Sequence, residues 1–358
     1  MNKKVLFAII FVLLFVFLLF AKQKKRSATF LNTKKRQNIT LISVTPPPAP
    51  LGVQKKSIFI PYWALGQGNY EKKYNEYYYF GITPNGNGEI EDEQGKKNME
   101  LIDNALTDKT TLVLRMMDKN SIDLLMGSVT GQERLVQNIR NILKENGMKG
   151  VALDMEIPFS LNTERPIQIT NFVQKICSSI KSDYKTCDLI VYGDVFYHGR
   201  PYDISSLAGI VDKVLIMAYD FHKSSGEPGP NFSFEGKEKY GYDFKTMLRD
   251  FSSVVPKEKL VVIFGMYGYD WTLNEQGIPL KSAEALTLIQ IKNKISSFVA
   301  PYNKIAETGS GEKAITYVDG NGRKHIMWWE DEESARIKAE YLKTQGIAEV
   351  SYWANGYF

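Results

Sequence analysis

The sequence has few of the residues that build metal and redox sites. Its 358 residues include two cysteines and three histidines. His198, His222 and His325 are scattered, no metal-ligand spacing exists, and no cofactor is expected. Two cysteines exclude a disulfide-dense scaffold. Outside the cytoplasm Cys177 and Cys187 could pair and clip a helix to the following strand; otherwise they are two partly buried free thiols. Acidic residues are missing from residues 1–56, which hold eleven Lys or Arg. The remaining 302 residues carry 34 basic and 40 acidic side chains, a formal −6. The basic balance therefore belongs to the leader, and a mildly acidic folded part argues against a nucleic-acid-binding domain. Internal repeats are absent, as is low-complexity sequence beyond one proline segment.

One long apolar run is present. Val5 to Ala21 reads VLFAIIFVLLFVFLLFA, short for a membrane-spanning helix yet long for a signal-peptide core. No small-x-small cleavage site follows, so residues 1–26 read as an uncleaved signal anchor with basic flanks. The flanking charges weakly favour a cytoplasmic C-terminal side; the chemistry argued below favours an external one. Residues 27–56 lack hydrophobic periodicity and contain PPPAP at 46–50, a stiff extended tether. The folded domain is expected over residues 57–358.

Short apolar runs punctuate that domain. Ser57–Tyr62, Tyr77–Ile82, Thr111–Met116, Lys149–Glu156, Leu189–Gly193, Lys213–Tyr219, Leu260–Met266 and Glu349–Trp353 read as eight buried strands. Helical patterns separate several of them. One starts near Thr130, where Thr130 and Glu133 form a capping box, and ends at Asn146-Gly147; another spans Asp331–Gln345. Apolar strands alternating with helices argue for a parallel sheet with crossover helices, and eight of them suggest an α/β fold of the (β/α)8 barrel type. A doubly wound sheet is the alternative. About 80 residues between the last two strands break the alternation. They hold a helical stretch, Ser282–Phe298, and a hairpin of Ala314–Val318 and Lys324–Trp329 around DGNG, a small insertion at the barrel mouth.

The chemistry gathers at the C-terminal ends of the strands, where barrel active sites lie. Strand four ends in Asp154 and Glu156, two residues apart and so on one face. Two close carboxylates cannot both ionise freely, and a protonated Glu beside an ionised Asp can protonate a leaving oxygen. Other ends bring Tyr62 and Trp63, the run Met217–His222, Tyr267–Trp271, and Trp353. Carboxylates among Tyr and Trp suit a sugar site, because aromatic faces stack on pyranose rings. Taken singly, each aromatic is better explained by core packing; their joint appearance at strand ends shifts the balance.

These motifs resemble family 18 glycoside hydrolases, the chitinase-like group. That family carries DGxDxDxE on its fourth strand, MxYD on the sixth and a Trp on the eighth. Here DxE stands at Asp154–Glu156, MxYD at Met217–Asp220, and Trp353 ends the eighth strand. The spore-germination-type branch is closer still. Its GxPxYGYDW segment is matched by MYGYDW at 266–271, and its W[FW]EDxxS segment by WWEDEES at 328–334. The resemblance covers essentially residues 57–358. It implies a retaining, substrate-assisted mechanism, an exception to the two-carboxylate scheme. Glu156 would be general acid, then base, and the substrate's acetamide oxygen the nucleophile. Asp154 would orient the acetamide, Tyr219 would hydrogen-bond it, Asp220 and Met217 would support the sugar, and Trp353 would floor it. Tyr62, Trp63 and Trp271 would stack on further sugars, whereas Trp328 and Trp329 would pack the hairpin. The two upstream aspartates of the motif fall at Lys149 and Ala152.

The resulting expectation is a membrane-anchored, monomeric, extracytoplasmic hydrolase of β-1,4-linked N-acetylglucosamine-containing glycans, chitin-like or peptidoglycan. A non-catalytic glycan-binding protein on the same barrel is the rival. A barrel enzyme of unrelated chemistry would need a cofactor or metal signature that the sequence lacks.

Overall fold

Residues 53–65, 73–298, 302–304 and 309–358 are described by a computed structural model. The anchor read over residues 1–26 and nearly all of the tether lie outside them. Among the described residues no helix is long and apolar enough to cross a membrane. The folded part begins slightly earlier than expected, since Lys55 and Lys56 already pair in the first strand.

Eight parallel strands close a barrel: β1 (Lys55–Pro61), β2 (Glu76–Ile82), β3 (Thr110–Met116), β4 (Gly150–Met155), β5 (Thr186–Tyr192), β6 (Val214–Ala218), β7 (Leu260–Gly265) and, after an insertion, β13 (Glu349–Trp353). The alternative of a doubly wound sheet is thereby excluded. Every residue of β4, β6 and β7 is buried, because one face fills the barrel and the other meets helices. The inward set includes Phe59, Tyr78, Val113, Ala152, Ile190, Leu215 and Ile263. The outward set joins the helix faces in one large cluster.

Two helix ends differ in detail from the sequence reading. The helix Val129–Glu145 is capped by Ser128, whose hydroxyl accepts from the Gly131 N–H, not by a Thr130 box. Ser128 has the extended backbone a cap needs, and Thr130 already lies inside the helix. The helix Glu332–Thr344 is capped by Asp331 with Ser334 reciprocating. Cys177 and Cys187 form a disulfide, tying the helix Arg165–Lys181 to β5.

The barrel floor is ionic. Lys149 Nζ meets Glu76 at 2.6 Å, and Lys213 bridges Glu76 at 2.9 Å and Glu349 at 2.5 Å. Asp188 lies in the same region, in register with Ala152. Burial pushes its carboxyl up to about 7 against the pull of Lys213 and Lys149.

The insertion starts earlier than the sequence suggested. Tyr267–Trp271 is not the tail of the seventh barrel strand; it belongs to β8 (Tyr267–Leu273), an interior strand of a second sheet. The chain turns out of the barrel at Met266, whose N–H still bonds the Trp353 carbonyl. β9 (Glu284–Thr287), β10 (Asn303–Lys304), β11 (Lys313–Val318) and β12 (Lys324–Trp329) complete a sheet of order β10-β11-β12-β8-β9. The stretch 282–298 is thus β9 followed by the helix Leu288–Ser296, capped by Thr287. The hairpin β11–β12 is as read, and Trp328 and Trp329 are buried in it.

A buried ion cluster joins the insertion to the last helix. Lys338 Nζ lies 2.9 Å from Glu312 and 2.8 Å from Glu330, with all three side chains sealed from solvent. One cation thus serves two carboxylates, and burial with the Glu312 charge leaves Glu330 raised to about 8. Removing one partner of such a cluster strands charge in a dry interior. Lys338→Met is expected to cost about 3–5 kcal/mol, read as a lowered urea midpoint at neutral pH.

Candidate active site

β4 sets the geometry. The Glu156 N–H bonds the Met116 carbonyl at 2.8 Å, so strand pairing continues one residue past β4 and keeps Asp154 and Glu156 on one face. Asp154 is 3% exposed, and among the described residues its Oδ1 has no hydrogen-bond partner. Burial first and the Glu156 charge second push its carboxyl well above the usual range. Arg115 opposes them from β3, where it is in register with Asp154. Glu156 is half-buried and also raised, chiefly by burial. The Tyr192 hydroxyl donates to its Oε2 at 2.8 Å and, with Lys223 and Arg200, holds that rise in check. Burial and mutual repulsion leave the pair holding a proton that an exposed pair would release.

β6 delivers the second half of the site. Tyr219 and Asp220 follow its last residue, Ala218. Burial pushes the Tyr219 phenol well above its usual range, with Asp154 and Asp220 adding to it, so Tyr219 stays a hydroxyl donor. Asp220 has φ 58°, a left-handed conformation that aspartate tolerates better than most residues. Asn231 fixes it: its Oδ1 accepts from the Asp220 N–H at 2.7 Å and its Nδ2 donates to the Gly265 carbonyl at 3.1 Å. Glu312 of the insertion accepts from the Asn231 and Phe232 N–H groups. The Tyr269 hydroxyl donates to Asp220 Oδ1 at 2.8 Å, and the Tyr267 hydroxyl donates to the same oxygen.

The aromatic candidates divide. Trp353 stands half-buried at the end of β13, packed edge-on against Phe80 with centroids 4.7 Å apart and tilted toward Tyr219 at 6.5 Å. Trp63, on the short helix after β1, is 41% exposed and lies 6.4 Å from Trp353, so its face is available. Tyr62 is half-buried with the Arg115 guanidinium 5.7 Å from its ring centre. Met217 points into the barrel at 6% exposure, as a support beneath the site. Trp271 does not stack on sugar: it is fully buried between β8 and its neighbours and donates Nε1–H to the Gly226 carbonyl at 3.1 Å. Period-two alternation puts Tyr267, Tyr269 and Trp271 on one face, but only the first two reach Asp220.

Sequence reasoning missed Arg115, Tyr192, Asn231, Tyr267 and Tyr269 as neighbours of the motif residues. The alternation of YGYDW offered a signal for the last two. Among the described residues no group of His, Cys, Asp and Glu could hold a metal ion.

The sequence model described as glycosyl hydrolases family 18 matches residues 69–357. A cortical fragment-lytic enzyme of Bacillus anthracis is 25% identical over 248 residues, which cover 65% of this chain and 52% of that protein. An endochitinase of Brugia malayi is 27% identical over 243 residues, covering 62% of this chain and 47% of the relative. The chain spans about half the length of the curated relatives it matches. In structure it resembles the spore cortex-lytic enzyme SleL of Bacillus cereus, with TM-score 0.69 and 20% identity, covering 87% of this chain and 72% of that one. That likeness bears on the fold.

Asn231→Ala strips partners from the Asp220 N–H and the Gly265 carbonyl. Leaving such buried groups unpaired costs roughly 1–3 kcal/mol. The variant is expected to show this loss in chemical denaturation.

Proposed function

The chain belongs to glycosyl hydrolases family 18, and we propose that it cleaves β-1,4-linked N-acetylglucosamine-containing glycans with retention, using the substrate's acetamide as nucleophile. One observation carries the reading: a half-buried Glu156 whose carboxyl is pushed above its ordinary range, beside a buried Asp154 whose Oδ1 has no partner among the described residues.

The sugar at the cleavage point rests on Trp353. Glu156 gives its proton to the glycosidic oxygen, and the electrons of the breaking C–O bond leave with that oxygen. The acetamide carbonyl oxygen attacks the anomeric carbon and closes an oxazolinium ring. Asp154 accepts the acetamide N–H and offsets the positive charge, and Tyr219 donates to the acetamide oxygen. Water then opens the ring and returns a proton to Glu156. Preorganised charge in a water-poor pocket is the main source of rate. Asp220, held by Tyr267 and Tyr269, supports the same sugar, and Trp63 offers a face to a neighbouring one. The names of the relatives point to chitin-like polymers and to spore cortex; we place the substrate among these acetamido glycans. Ala152 supports a second reading, a glycan-binding barrel that has lost turnover, because the motif's inner aspartate is missing.

We further propose that residues 1–26 anchor the chain, with the barrel outside the cytoplasm as a monomer. The substrate's location and the Cys177–Cys187 disulfide, which suits an oxidising compartment, support this placement. Protection of the barrel from added protease in intact cells would sink it.

Chitin oligosaccharides and purified peptidoglycan separate the two functional readings. Release of new reducing ends by the protein, absent in Glu156→Gln, is expected for the hydrolase. Saturable binding without cleavage by both proteins would establish the lectin-like reading. The pH profile gives a further check: the raised Glu156 carboxyl loses its proton late, so the basic limb of kcat/KM is expected above the ordinary glutamate range.

A further inference from the structure

Glu156 is gripped from one side by residues outside the sequence motifs. Tyr192, the last residue of β5, donates its hydroxyl proton to Glu156 Oε2 at 2.8 Å. The Arg200 guanidinium lies over the Tyr192 ring, 3.8 Å from its centre. Arg200 is itself fixed: Nη2 donates to Asp194 at 2.6 Å, Nε donates to the other oxygen of Asp194, and Nη1 donates to the Pro158 carbonyl at 3.2 Å. Tyr202 holds the backbone around the same glutamate. Its hydroxyl donates to the Met155 carbonyl at 2.6 Å and accepts from the Ile157 N–H at 2.9 Å. Tyr192 and the peptides on both sides of Glu156 are therefore fixed independently of any substrate.

A neutral carboxyl has one O–H and one carbonyl-like oxygen. A phenol that donates to Oε2 makes Oε2 the accepting oxygen and leaves the proton on Oε1. We propose that Tyr192 is a positioning residue of the acid–base step: its hydroxyl reserves Oε2 as an acceptor, so that Oε1 alone gives up and recovers the catalytic proton. This rests on the hydrolase reading above. When Oε1 has lost its proton, the bond to Tyr192 becomes charge-assisted and strengthens, stabilising the carboxylate that next acts as base. Burial pushes the Tyr192 phenol far above its usual range, so it stays a donor throughout.

Several charges face Glu156. Asp154 shares its strand, and Asp220 repels from the segment after β6. Lys223 and Arg200 attract, while Tyr219 and Tyr202 stay neutral. Among the groups that stabilise the carboxylate the bond from Tyr192 is the strongest. Removing it therefore raises the Glu156 pKa.

Tyr192→Phe in the full chain keeps the ring and its contact with Arg200. We expect kcat to fall about tenfold, equivalent to one lost hydrogen bond, with KM within twofold, and the basic limb of the pH profile to move to higher pH. Replacing Tyr192 by 3-fluorotyrosine makes a stronger donor and is expected to move the limb to lower pH. The carboxyl titration of Glu156, followed by 13C labelling with Glu156→Gln to assign the signal, must move in the same two directions. An unmoved limb and titration in both variants would reduce Tyr192 to packing and overturn the inference. If the unaltered protein cleaves no glycan, the hydrolase reading falls, yet the titration still decides whether Tyr192 governs the Glu156 proton.

Discussion

Two carboxylates on one face of a buried strand end cannot both shed their protons into a water-poor pocket, and much of this barrel is arranged around that constraint. Asp154 is almost sealed from solvent and Glu156 is half-buried. Burial pushes both carboxyls up. The opposing groups come from elsewhere in the ring: Arg115 from β3 acts on Asp154, and the Tyr192 hydroxyl and the cations Lys223 and Arg200 act on Glu156. Each sits on a strand end or the loop that follows one, where a parallel barrel converges its chain. The fold thus places donors and cations around a fixed pair, and the pair's shared proton follows from their balance.

The insertion belongs to the same arrangement. β8 leaves the barrel directly after β7 and carries Tyr267 and Tyr269 onto Asp220. Glu312, on the segment before β11, accepts the N–H groups of Asn231 and Phe232, and the Asn231 side chain holds the Asp220 backbone at positive φ. Lys338 of the last helix neutralises Glu312 from behind. A local conformation that would otherwise relax is held by a chain of polar contacts ending in a sealed ion cluster. A buried cluster of this kind is weak evidence for net stability, but it does fix one arrangement of the loop that carries Asp220.

How legible all this was in the sequence depended on whether a residue's partner lay nearby in the chain. The eight barrel strands were readable because strands buried on both faces are apolar runs. Asp154, Glu156, Tyr219, Asp220 and Trp353 were readable because they close such runs. Trp271 was misread for a local reason. MYGYDW continues an apolar strand, and nothing in its composition shows the turn at Met266 that moves it to another sheet and buries the indole. Arg115 and Tyr192 escaped notice because their meaning lies across the barrel: one is paired in register with Asp154, and the other reaches Glu156 from 36 residues away. The tether's last residues were assigned too generously, since Lys55 and Lys56 look like linker but pair with Glu349 and Val350.

The departures from the family motif are also settled by neighbours across strands. Ala152 packs in the barrel interior with Val113, Ile190 and Leu215, in register with Asp188, whose Oδ1 has no hydrogen-bond partner among the described residues. Lys149 lies just before β4, at the end away from Asp154 and Glu156, where it joins the ionic floor with Glu76. In the full motif an inner aspartate would share a proton with the one at position 154. Here Arg115, one strand over, pulls the Asp154 carboxyl down, while burial and the Glu156 charge push it up more strongly. A shared proton weakens as pH rises, whereas a guanidinium keeps its charge across the whole working range. Arg115 is thus the group that eases ionisation of Asp154 in the absence of the motif's inner aspartate, although the Asp154 carboxyl stays well above the usual range.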